Sequence, residues 1–314
     1  MKILITGCAG FIGANFTNYW LDTYPNDTVV GVDALTYAAN LEALDALKRR
    51  SAFTFYHANI CDRKAMQAIF LKEAPELVVN FAAETHVDRS IDGAGIFVET
   101  NVLGTQVLLD MCLAYGKTRF HQISTDEVYG DLALDSPLRF DETAPLSPSS
   151  PYSASKAAAD LLVLSYYKTH GLPVSISRCS NNYGIYQHEE KLIPKVILCA
   201  IRQQAIPLYG DGSYMRDWIY VLDHCRAVDK ILHHALPGSI YNIGGNQLLS
   251  NLSLVEAILH TMQTRTPIAF VTDRKGHDRK YALNTEKIEQ ELGFFPEIPF
   301  LQGLEQTVQY YKKT

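Results

Sequence analysis

The sequence has few of the features that mark a membrane-spanning, secreted or metal-binding chain. It contains six cysteines in 314 residues, and no two of them form a C-x-x-C pair, so we expect buried, reduced thiols rather than disulfides. It has no H-E-x-x-H pair, and we predict no bound metal. No apolar run approaches the roughly 20 residues of a membrane span, and the first one is too short for a signal peptide. These absences predict a soluble, cytoplasmic protein.

Charge and composition narrow the class further. The 28 lysine and arginine residues and the 34 aspartate and glutamate residues give a formal net charge of −6, and the two signs are interspersed. We therefore expect no nucleic-acid partner and no anionic membrane surface. Any bound phosphate must be held by a local group of donors. With 47% hydrophobic residues, the chain is long enough to bury one large core or two smaller ones.

Strand and helix patterns alternate along the first half of the chain. Short apolar runs predict strands, and apolar residues at helical spacing predict helices between them. The strands are expected at residues 2–6, 28–33, 54–56, 77–82, 119–124 and 174–177, and the helices at 11–23, 63–72, 97–115 and 152–170. Such alternation predicts right-handed βαβ units. The fold class is therefore α/β, with a Rossmann-type doubly wound parallel sheet.

The pattern becomes irregular after residue 181. Helices are expected near 191–202, 223–235, 253–263 and 285–292, with short strands at 207–209 and 218–220. We interpret this part as a smaller C-terminal substrate-binding domain, from which a segment returns to the first domain. The predicted division is 1–178 plus a returning segment near 218–245 for the first domain, and 179–217 with 246–314 for the second.

A glycine-rich turn joins the first predicted strand to the first helix. Gly7, Gly10 and Gly13 form a G-x-x-G-x-x-G motif, whose glycines permit a tight turn and let the backbone approach a pyrophosphate. Asp33 ends the second strand, which suits a carboxylate that binds ribose hydroxyls. A residue that only caps the turn is the alternative. No arginine follows Asp33, which favours NAD over NADP. The other predicted cofactor-binding residues are Phe11, Ile12, Asn59, Ile60, Ala82 and Ala83.

Tyr152 and Lys156 are four residues apart on a predicted helix and therefore share one face. A tyrosine acts as a base only if its pKa falls from about 10 towards neutrality, which requires roughly 4 kcal/mol. An ammonium group at about 4 Å from the phenolate contributes a stabilising Coulomb energy of that size. The alternative is a pair of simply exposed side chains. Thr125, with Ser124, could hydrogen-bond the substrate oxygen that is oxidised.

Two adjacent carboxylates, Asp126 and Glu127, follow the strand that ends at Ser124. The carboxyl ends of parallel strands are where ligands bind in an open α/β sheet. Neighbouring side chains on a strand point to opposite faces, so both carboxylates reach one site only if the chain turns, as Gly130 suggests. Like charges in close proximity raise one pKa, which can keep one carboxyl group as an acid beside a base. A solvated acidic loop is the alternative.

Ten separated motifs occur in an order typical of one enzyme family. They lie at residues 7–13, 35–41, 83–90, 124–130, 150–156, 179–184, 190–194, 216–218, 241–245 and 276–279. Together they cover nearly the entire chain, and they resemble the dTDP-glucose 4,6-dehydratase family of extended short-chain dehydrogenases/reductases. The resemblance implies a hydro-lyase that uses NAD, a nucleotide-sugar substrate and a role in deoxysugar biosynthesis.

The resemblance also implies a reaction in three steps, which are C4 oxidation of the sugar, loss of water across C5 and C6, and hydride return to C6. Tyr152 would take the C4 hydroxyl proton, while Lys156 holds the cofactor ribose and lowers the tyrosine pKa. Glu127 would remove the C5 proton, and Asp126 would protonate the departing C6 hydroxyl. Thr125 would steady the C4 oxygen.

The substrate-binding residues follow from the same resemblance. Arginine and asparagine side chains would hold the diphosphate and nucleoside, and this group comprises Arg216, Arg274, Arg279, Asn182 and Asn242. A second group would frame the base, and it comprises Lys191, Leu192, Pro207 and Tyr209. Thr85 and His277 are expected to donate or accept hydrogen bonds. A homodimer is implied, with the helices near 97–115 and 152–170 packed across a two-fold axis.

The sequence departs from the family pattern at Cys8, Asn59, Thr85, Lys275 and the segment 185–189. A UDP-sugar 4,6-dehydratase therefore remains an alternative. UDP-sugar 4-epimerases and UDP-glucuronate decarboxylases share the fold, but the epimerases have no acid–base pair at Asp126 and the decarboxylases have serine there. A catalytically silent NAD-binding regulator is the remaining alternative, and the full set of catalytic residues argues against it.

Overall fold

The computed structural model describes residues 1–313 and contains a seven-stranded sheet. Its spatial order is β10-β6-β5-β4-β1-β2-β3, and every neighbouring pair is parallel. The strands are β1 (Lys2–Thr6), β2 (Thr28–Asp33), β3 (Phe53–His57), β4 (Leu77–Asn80), β5 (Arg119–Thr125), β6 (Val174–Cys179) and β10 (Ser239–Ile243). The predicted doubly wound parallel sheet is confirmed.

Strand β1 is mostly apolar because both of its faces are covered. Ile3, Leu4 and Ile5 in β1 are fully buried, and neighbouring residues belong to different hydrophobic clusters on the two faces of the sheet. A parallel sheet with helices on both sides requires such continuous apolar runs. Because such apolar runs are visible in the sequence, a strand such as β1 could be predicted.

Twelve helices surround the sheets within residues 1–313. They are α1 (Phe11–Thr23), α2 (Leu41–Lys48), α3 (Arg63–Glu73), α4 (Val87–Asp92), α5 (Gly95–Phe97), α6 (Thr105–Ala114), α7 (Pro151–His170), α8 (Leu192–Ile201), α9 (Val221–His234), α10 (Asn251–Met262), α11 (Glu286–Leu292) and α12 (Phe300–Tyr311). The sequence analysis did not anticipate α2, α4 and α12. Two of them are short, and α12 gains its stability from tertiary packing.

Helix α7 shows why the predicted boundaries were close. Ser150 and Ser153 form a capping box, and Pro151 occupies the first turn, where its missing N–H costs nothing. Gly171 ends the helix in a left-handed conformation, with φ +63°. These local signals set the start and end of the helix that carries Tyr152 and Lys156.

The predicted helix at 97–115 is a composite. A π-helical segment, Val98–Gly104, joins α5 to α6, and Asn101 in this segment donates to Ser155 Oγ at 2.8 Å. The combined helix Gly95–Ala114 is, among the described residues, long and apolar enough to span a membrane by length and composition. The sequence predicted this helix but no apolar run of membrane-spanning length, and Glu99 and Asp110 interrupt the apolar residues here. Half of its apolar window is buried inside the protein, as in a core helix.

A second group of elements packs above the carboxyl ends of the large sheet. Its strands are β7 (Asn181–Tyr183), β8 (Ile206–Tyr209), β9 (Met215–Tyr220), β11 (Leu248–Ser250) and β12 (Ile268–Val271). They form a three-stranded sheet, β11-β9-β7, and a two-stranded sheet, β12-β8. A separate hydrophobic cluster with helices α8, α10 and α12 covers them. The predicted strands at 207–209 and 218–220 are confirmed.

The returning segment joins the large sheet through β10, while α9 packs against α1. One element differs from the predicted division, since Ile288 and Leu292 of α11 pack in the cluster that contains Ile3 and Trp20. Helix α11 therefore packs with the first domain, although residues 246–314 were assigned to the second. Thr314, the end of that assignment, lies outside the described residues. The division as a whole stays a prediction.

Candidate active site

A cavity of about 330 Å³ lies between the two groups of elements. Its floor is formed by residues that follow the carboxyl ends of β1, β2, β4, β5 and β6, which is where ligands bind in open α/β sheets. The predicted residues that line it are Gly7, Gly10, Phe11, Ile12, Gly13, Asp33, Asn59, Ile60, Ala82, Ala83, Thr85, Thr125, Asp126, Glu127, Tyr152, Lys156, Asn182 and Lys191. The structure thus gathers residues from most of the first half of the chain in one cleft.

The glycine turn leaves no room for side chains. Gly7 has a positive φ of +68°, and a Cβ atom there would lie 2.7 Å from Ala82 N. A Cβ atom on Gly13 would lie 2.1 Å from Gly7 O. Helix α1 begins with Gly10 as its N-cap and without a side-chain hydrogen bond, so its first N–H groups are available to an anion.

Asp33 closes the other side of this turn. Its Oδ2 accepts a hydrogen bond from Ala9 N at 2.9 Å, and its Oδ1 accepts one from Leu35 N at 2.8 Å. Burial raises the pKa of this carboxyl group, while the two backbone donors oppose that rise. The arrangement holds a carboxylate in the cleft where a nucleoside ribose would meet it.

The chain turns after β5, as the sequence predicted. Asp126–Tyr129 forms one turn of 3₁₀-helix, which ends at Gly130 with φ +86°. A Cβ atom on Gly130 would lie 2.3 Å from Ser147 O, so only glycine fits. The turn brings both Asp126 and Glu127 to the wall of the cleft.

The surroundings of the two carboxyl groups differ. Burial, followed by the charge of Glu127, raises the pKa of Asp126 well above its usual value. Burial also raises the pKa of Glu127, but Arg274, Arg216 and Lys191 counter this effect. Asp126 Oδ2 is buried and has no hydrogen-bond partner among residues 1–313. The pKa of Asp126 is thus raised further than that of Glu127, which favours Asp126 as the acid and Glu127 as the base of the pair.

Tyr152 and Lys156 occupy one face of α7, and both are buried. Lys156 Nζ donates a hydrogen bond to Ile123 O at 2.7 Å, and burial lowers its pKa. Burial and the charge of Glu127 raise the pKa of Tyr152 well above 10, while a hydrogen bond from Thr125 opposes the rise. In the protein alone, desolvation dominates at Tyr152, and the lowering of its pKa by Lys156 and the cofactor charge stays a prediction for the complex.

Asp88 organises two of the predicted substrate-binding residues. Its carboxylate accepts hydrogen bonds from Tyr209 Oη at 3.1 Å and from Arg274 Nη1 at 3.0 Å. His277 lies beside them, with its ring edge-on to Tyr209 and its Nδ1 2.7 Å from Asp273 Oδ1. These residues lie outside the cavity lining, as do Leu192, Pro207 and Arg216.

Arg216 is held by the backbone. Its guanidinium donates to Asp278 O at 2.7 Å and to Met215 O at 2.8 Å, and it lies over the ring of Tyr281. Its side chain is buried, and its charge lowers the pKa values of Asp126 and Glu127. The structure therefore gives Arg216 an electrostatic link to the carboxylate pair that the motif alone did not reveal.

Asn242 and Arg279, which were predicted to hold the diphosphate and nucleoside, also lie outside the cavity lining. Asn242 is fully buried, accepts from Tyr129 Oη at 2.8 Å, and donates to Phe140 O at 2.9 Å. Its amide supports the loop that follows the catalytic turn. Arg279 pairs instead with Asp131 at 2.7 Å and is half exposed. In both residues, the side-chain group that was assigned to the substrate instead interacts with another part of the protein.

Sequence reasoning missed several residues on the cleft wall. Gln187, His188 and Glu190 line it, and Glu190 Oε2 lies 3.5 Å from His86 Nε2 and 3.7 Å from His188 Nδ1. The segment 185–189 had been noted only as a departure from the family pattern. A signal was available, since only Glu190 separates this segment from Lys191, which was assigned to the site.

Comparison with known proteins places these features in a family. The sequence profile of the GDP-mannose 4,6-dehydratase family matches residues 4–307. The chain is 46% identical to a dTDP-glucose 4,6-dehydratase of Haemophilus influenzae, over 99% of this chain and 98% of that protein. The crystal structure of the dTDP-glucose 4,6-dehydratase DesIV of Streptomyces venezuelae with NAD bound superposes with a TM-score of 0.96, at 43% identity, over 100% of this chain and 98% of that one.

A structure of UDP-glucose 4-epimerase from Thermotoga maritima also superposes, with a TM-score of 0.93 and 28% identity over 100% of this chain and 99% of that one. The fold and the cleft therefore define a Rossmann-type protein of the extended short-chain dehydrogenase/reductase class. Within that class, the chain belongs to the dTDP-glucose 4,6-dehydratase family.

Proposed function

We propose that this protein is an NAD-dependent hydro-lyase that converts dTDP-glucose to dTDP-4-keto-6-deoxyglucose and water. The observation that carries the proposal is the carboxylate pair. Asp126 and Glu127 line one cleft with Tyr152, and their surroundings favour one acid and one base. The named relatives, at 43–46% identity over nearly the full chain, support the same activity.

The residues of the cleft fit NAD. A Cβ atom on Gly7 or Gly13 would fill the turn that these glycines form. The N–H groups at the start of α1 have no side-chain cap and suit a pyrophosphate. Asp33 suits the ribose. Asn59, Ile60, Ala82 and Ala83 complete this half of the lining. When bound, NAD supplies a reversible hydride acceptor.

Tyr152 and Thr125 would act at the sugar C4 oxygen. Tyr152 takes the hydroxyl proton, and Thr125 holds the oxygen. The raised pKa of Tyr152 in the protein alone means that the tyrosinate must gain stabilisation in the complex, where Lys156 and the positive charge of the oxidised cofactor oppose desolvation.

Elimination would then use the two carboxyl groups in separate roles. A C4 ketone acidifies the C5 proton, and Glu127 removes it, since nearby arginine and lysine charges oppose the rise of its pKa that burial causes. Asp126, kept protonated by burial and by Glu127, donates its proton to the departing C6 hydroxyl. The pair thus supplies a base and an acid at one pH.

Positively charged and amide groups in and beside the cleft would hold the nucleotide. Arg274 and Asn182 suit the diphosphate, and Thr85 suits a substrate hydroxyl. Lys191, Leu192, Pro207, Tyr209 and His277 would frame the base. We further propose a cytoplasmic homodimer formed through the composite helix Gly95–Ala114 and α7, where Leu103 and Leu161 expose apolar surface.

The substrate is tested by incubating the purified protein separately with dTDP-glucose, UDP-glucose and UDP-N-acetylglucosamine. We expect dTDP-glucose to lose one water, which mass spectrometry detects, and the other two to react more slowly. Preference for a UDP-sugar would transfer the proposal to the uracil alternative. If none of the three is dehydrated, the proposed function is wrong.

The dinucleotide turn is tested by Gly13→Ala. The new methyl group would meet Gly7 O, and relieving this contact requires the turn to move. We expect a loss of about 1–3 kcal/mol in the free energy of unfolding and an affinity for NAD about tenfold lower or worse. Calorimetry measures both quantities.

Gly95→Ala is the matched control, since nothing lies within 4 Å of its Cβ position. It should leave NAD affinity unchanged. Equal NAD affinity in Gly13→Ala and the wild type would contradict the assignment of this turn to the pyrophosphate.

A further inference from the structure

The amide of Asn182 is held on both sides by the protein. Asn182 lies in β7, is more than nine-tenths buried and lines the cleft. Its Nδ2 donates to Ser180 O at 3.0 Å, and its Oδ1 lies 2.9 Å from Nδ1 of His224, a residue of α9. The orientation of this amide is therefore set by one backbone carbonyl and one histidine.

These two partners allow only one arrangement of hydrogen bonds. If the amide were rotated by half a turn, its oxygen would face Ser180 O, and two acceptors would oppose each other. With the oxygen towards His224, Nδ1 of the ring must carry the proton and donate it. The amide oxygen is then occupied, and the second N–H of Asn182 Nδ2, whose acceptor in the protein is the weakly accepting sulfur of Cys179, is available to a stronger acceptor on a ligand.

His224 is suited to this task because it stays neutral. It is fully buried, and burial lowers its pKa to about 3. A neutral ring with its proton on Nδ1 has a bare acceptor at Nε2, and this atom has no hydrogen-bond partner within residues 1–313. A buried polar atom without a partner destabilises the fold, and a leucine at this position would avoid that penalty.

We infer that His224 is a positioning residue for the anionic diphosphate of the nucleotide-sugar substrate, because it fixes the Asn182 amide with a donor rather than its oxygen towards the ligand. This inference rests on the proposed function. The histidine contacts no reacting atom, so it should act on substrate binding and leave the chemical steps unchanged. A free amide would present its oxygen part of the time and repel a phosphate.

Two substitutions separate this role from a structural one. The side-chain nitrogen of Asn lies about as far from the backbone as the histidine Nδ1, whereas that of Gln lies about as far as Nε2. We expect His224→Asn to keep KM for dTDP-glucose within about twofold of the wild type, and His224→Gln to raise it about tenfold, each with little change in kcat. In an Asn182→Ala background, His224→Gln should add no further increase.

His121→Gln is the matched control, because His121 is equally buried, has a pKa lowered to about 3 by burial, and contacts Ser175 and Ser177 away from the cleft. It should leave KM unchanged. Equal KM values for His224→Asn and His224→Gln, or an increase that persists in the Asn182→Ala background, would overturn the inference. If the wild type shows no dehydration, that result counts against the proposed function alone, and calorimetric binding of dTDP to the same variants then decides the role of His224.

Discussion

Asp126→Asn is expected to slow the loss of water by about 10²–10⁴-fold, the usual contribution of a positioned general acid, while C4 oxidation continues. The amide is nearly isosteric but has no acidic proton for the departing C6 hydroxyl. Glu127 remains able to remove the C5 proton. In deuterated water, we therefore expect deuterium to enter C5 without dehydration. The bound cofactor should then be found reduced, which its near-ultraviolet absorbance reports.

The control for this substitution is Asp131→Asn. Asp131 lies in the same loop, but it pairs with Arg279 outside the cleft, so the same chemical change should leave turnover close to that of the wild type. Equal loss of C4 oxidation and of dehydration in Asp126→Asn would contradict the assigned role, since the acid would then be needed before elimination.

Tyr152→Phe is expected to lower turnover by a similar factor of about 10²–10⁴, but at an earlier step. Without the phenolic oxygen, no group of the chain takes the C4 hydroxyl proton, and no ketone forms to acidify C5. We therefore expect neither deuterium at C5 nor a reduced cofactor, in contrast to Asp126→Asn. Single-turnover absorbance and mass spectrometry measure these two results.

Tyr167→Phe makes the same change on the exposed side of α7 and should have no effect on turnover. A Tyr152→Phe variant that still exchanges C5 hydrogen at the wild-type rate would show that another group removes the C4 proton. The two catalytic variants together thus test the order of the steps as well as the identity of the groups.

Local signals allowed the site to be located before the structure was known. Helix α1 occupies the predicted range Phe11–Thr23. Its apolar residues recur at helical spacing, and Gly10 and Pro25 lie close to its two ends, so every signal that sets its range is local. The turn after β5 was also predictable, since Gly130 adopts a positive φ that other residues avoid.

Contacts between distant parts of the chain were not predictable in this way. Asn242 and Arg279 carried the residue types expected of a diphosphate site, yet the fold placed Tyr129 beside one and Asp131 beside the other. Asp88 shows the opposite case. It lies in a recognised motif, but the motif does not reveal that its carboxylate accepts hydrogen bonds from Tyr209 and Arg274.

The sequence by itself determined the α/β sheet, the glycine turn and the residues that can act as acid and base, because each depends on spacing along a single element. Tertiary structure alone decided which of those residues share a cleft and what their pKa values become. Burial, which raises the pKa of Asp126 and Tyr152 and lowers that of His224, depends on everything packed around a group. Sequence spacing carries no measure of that desolvation.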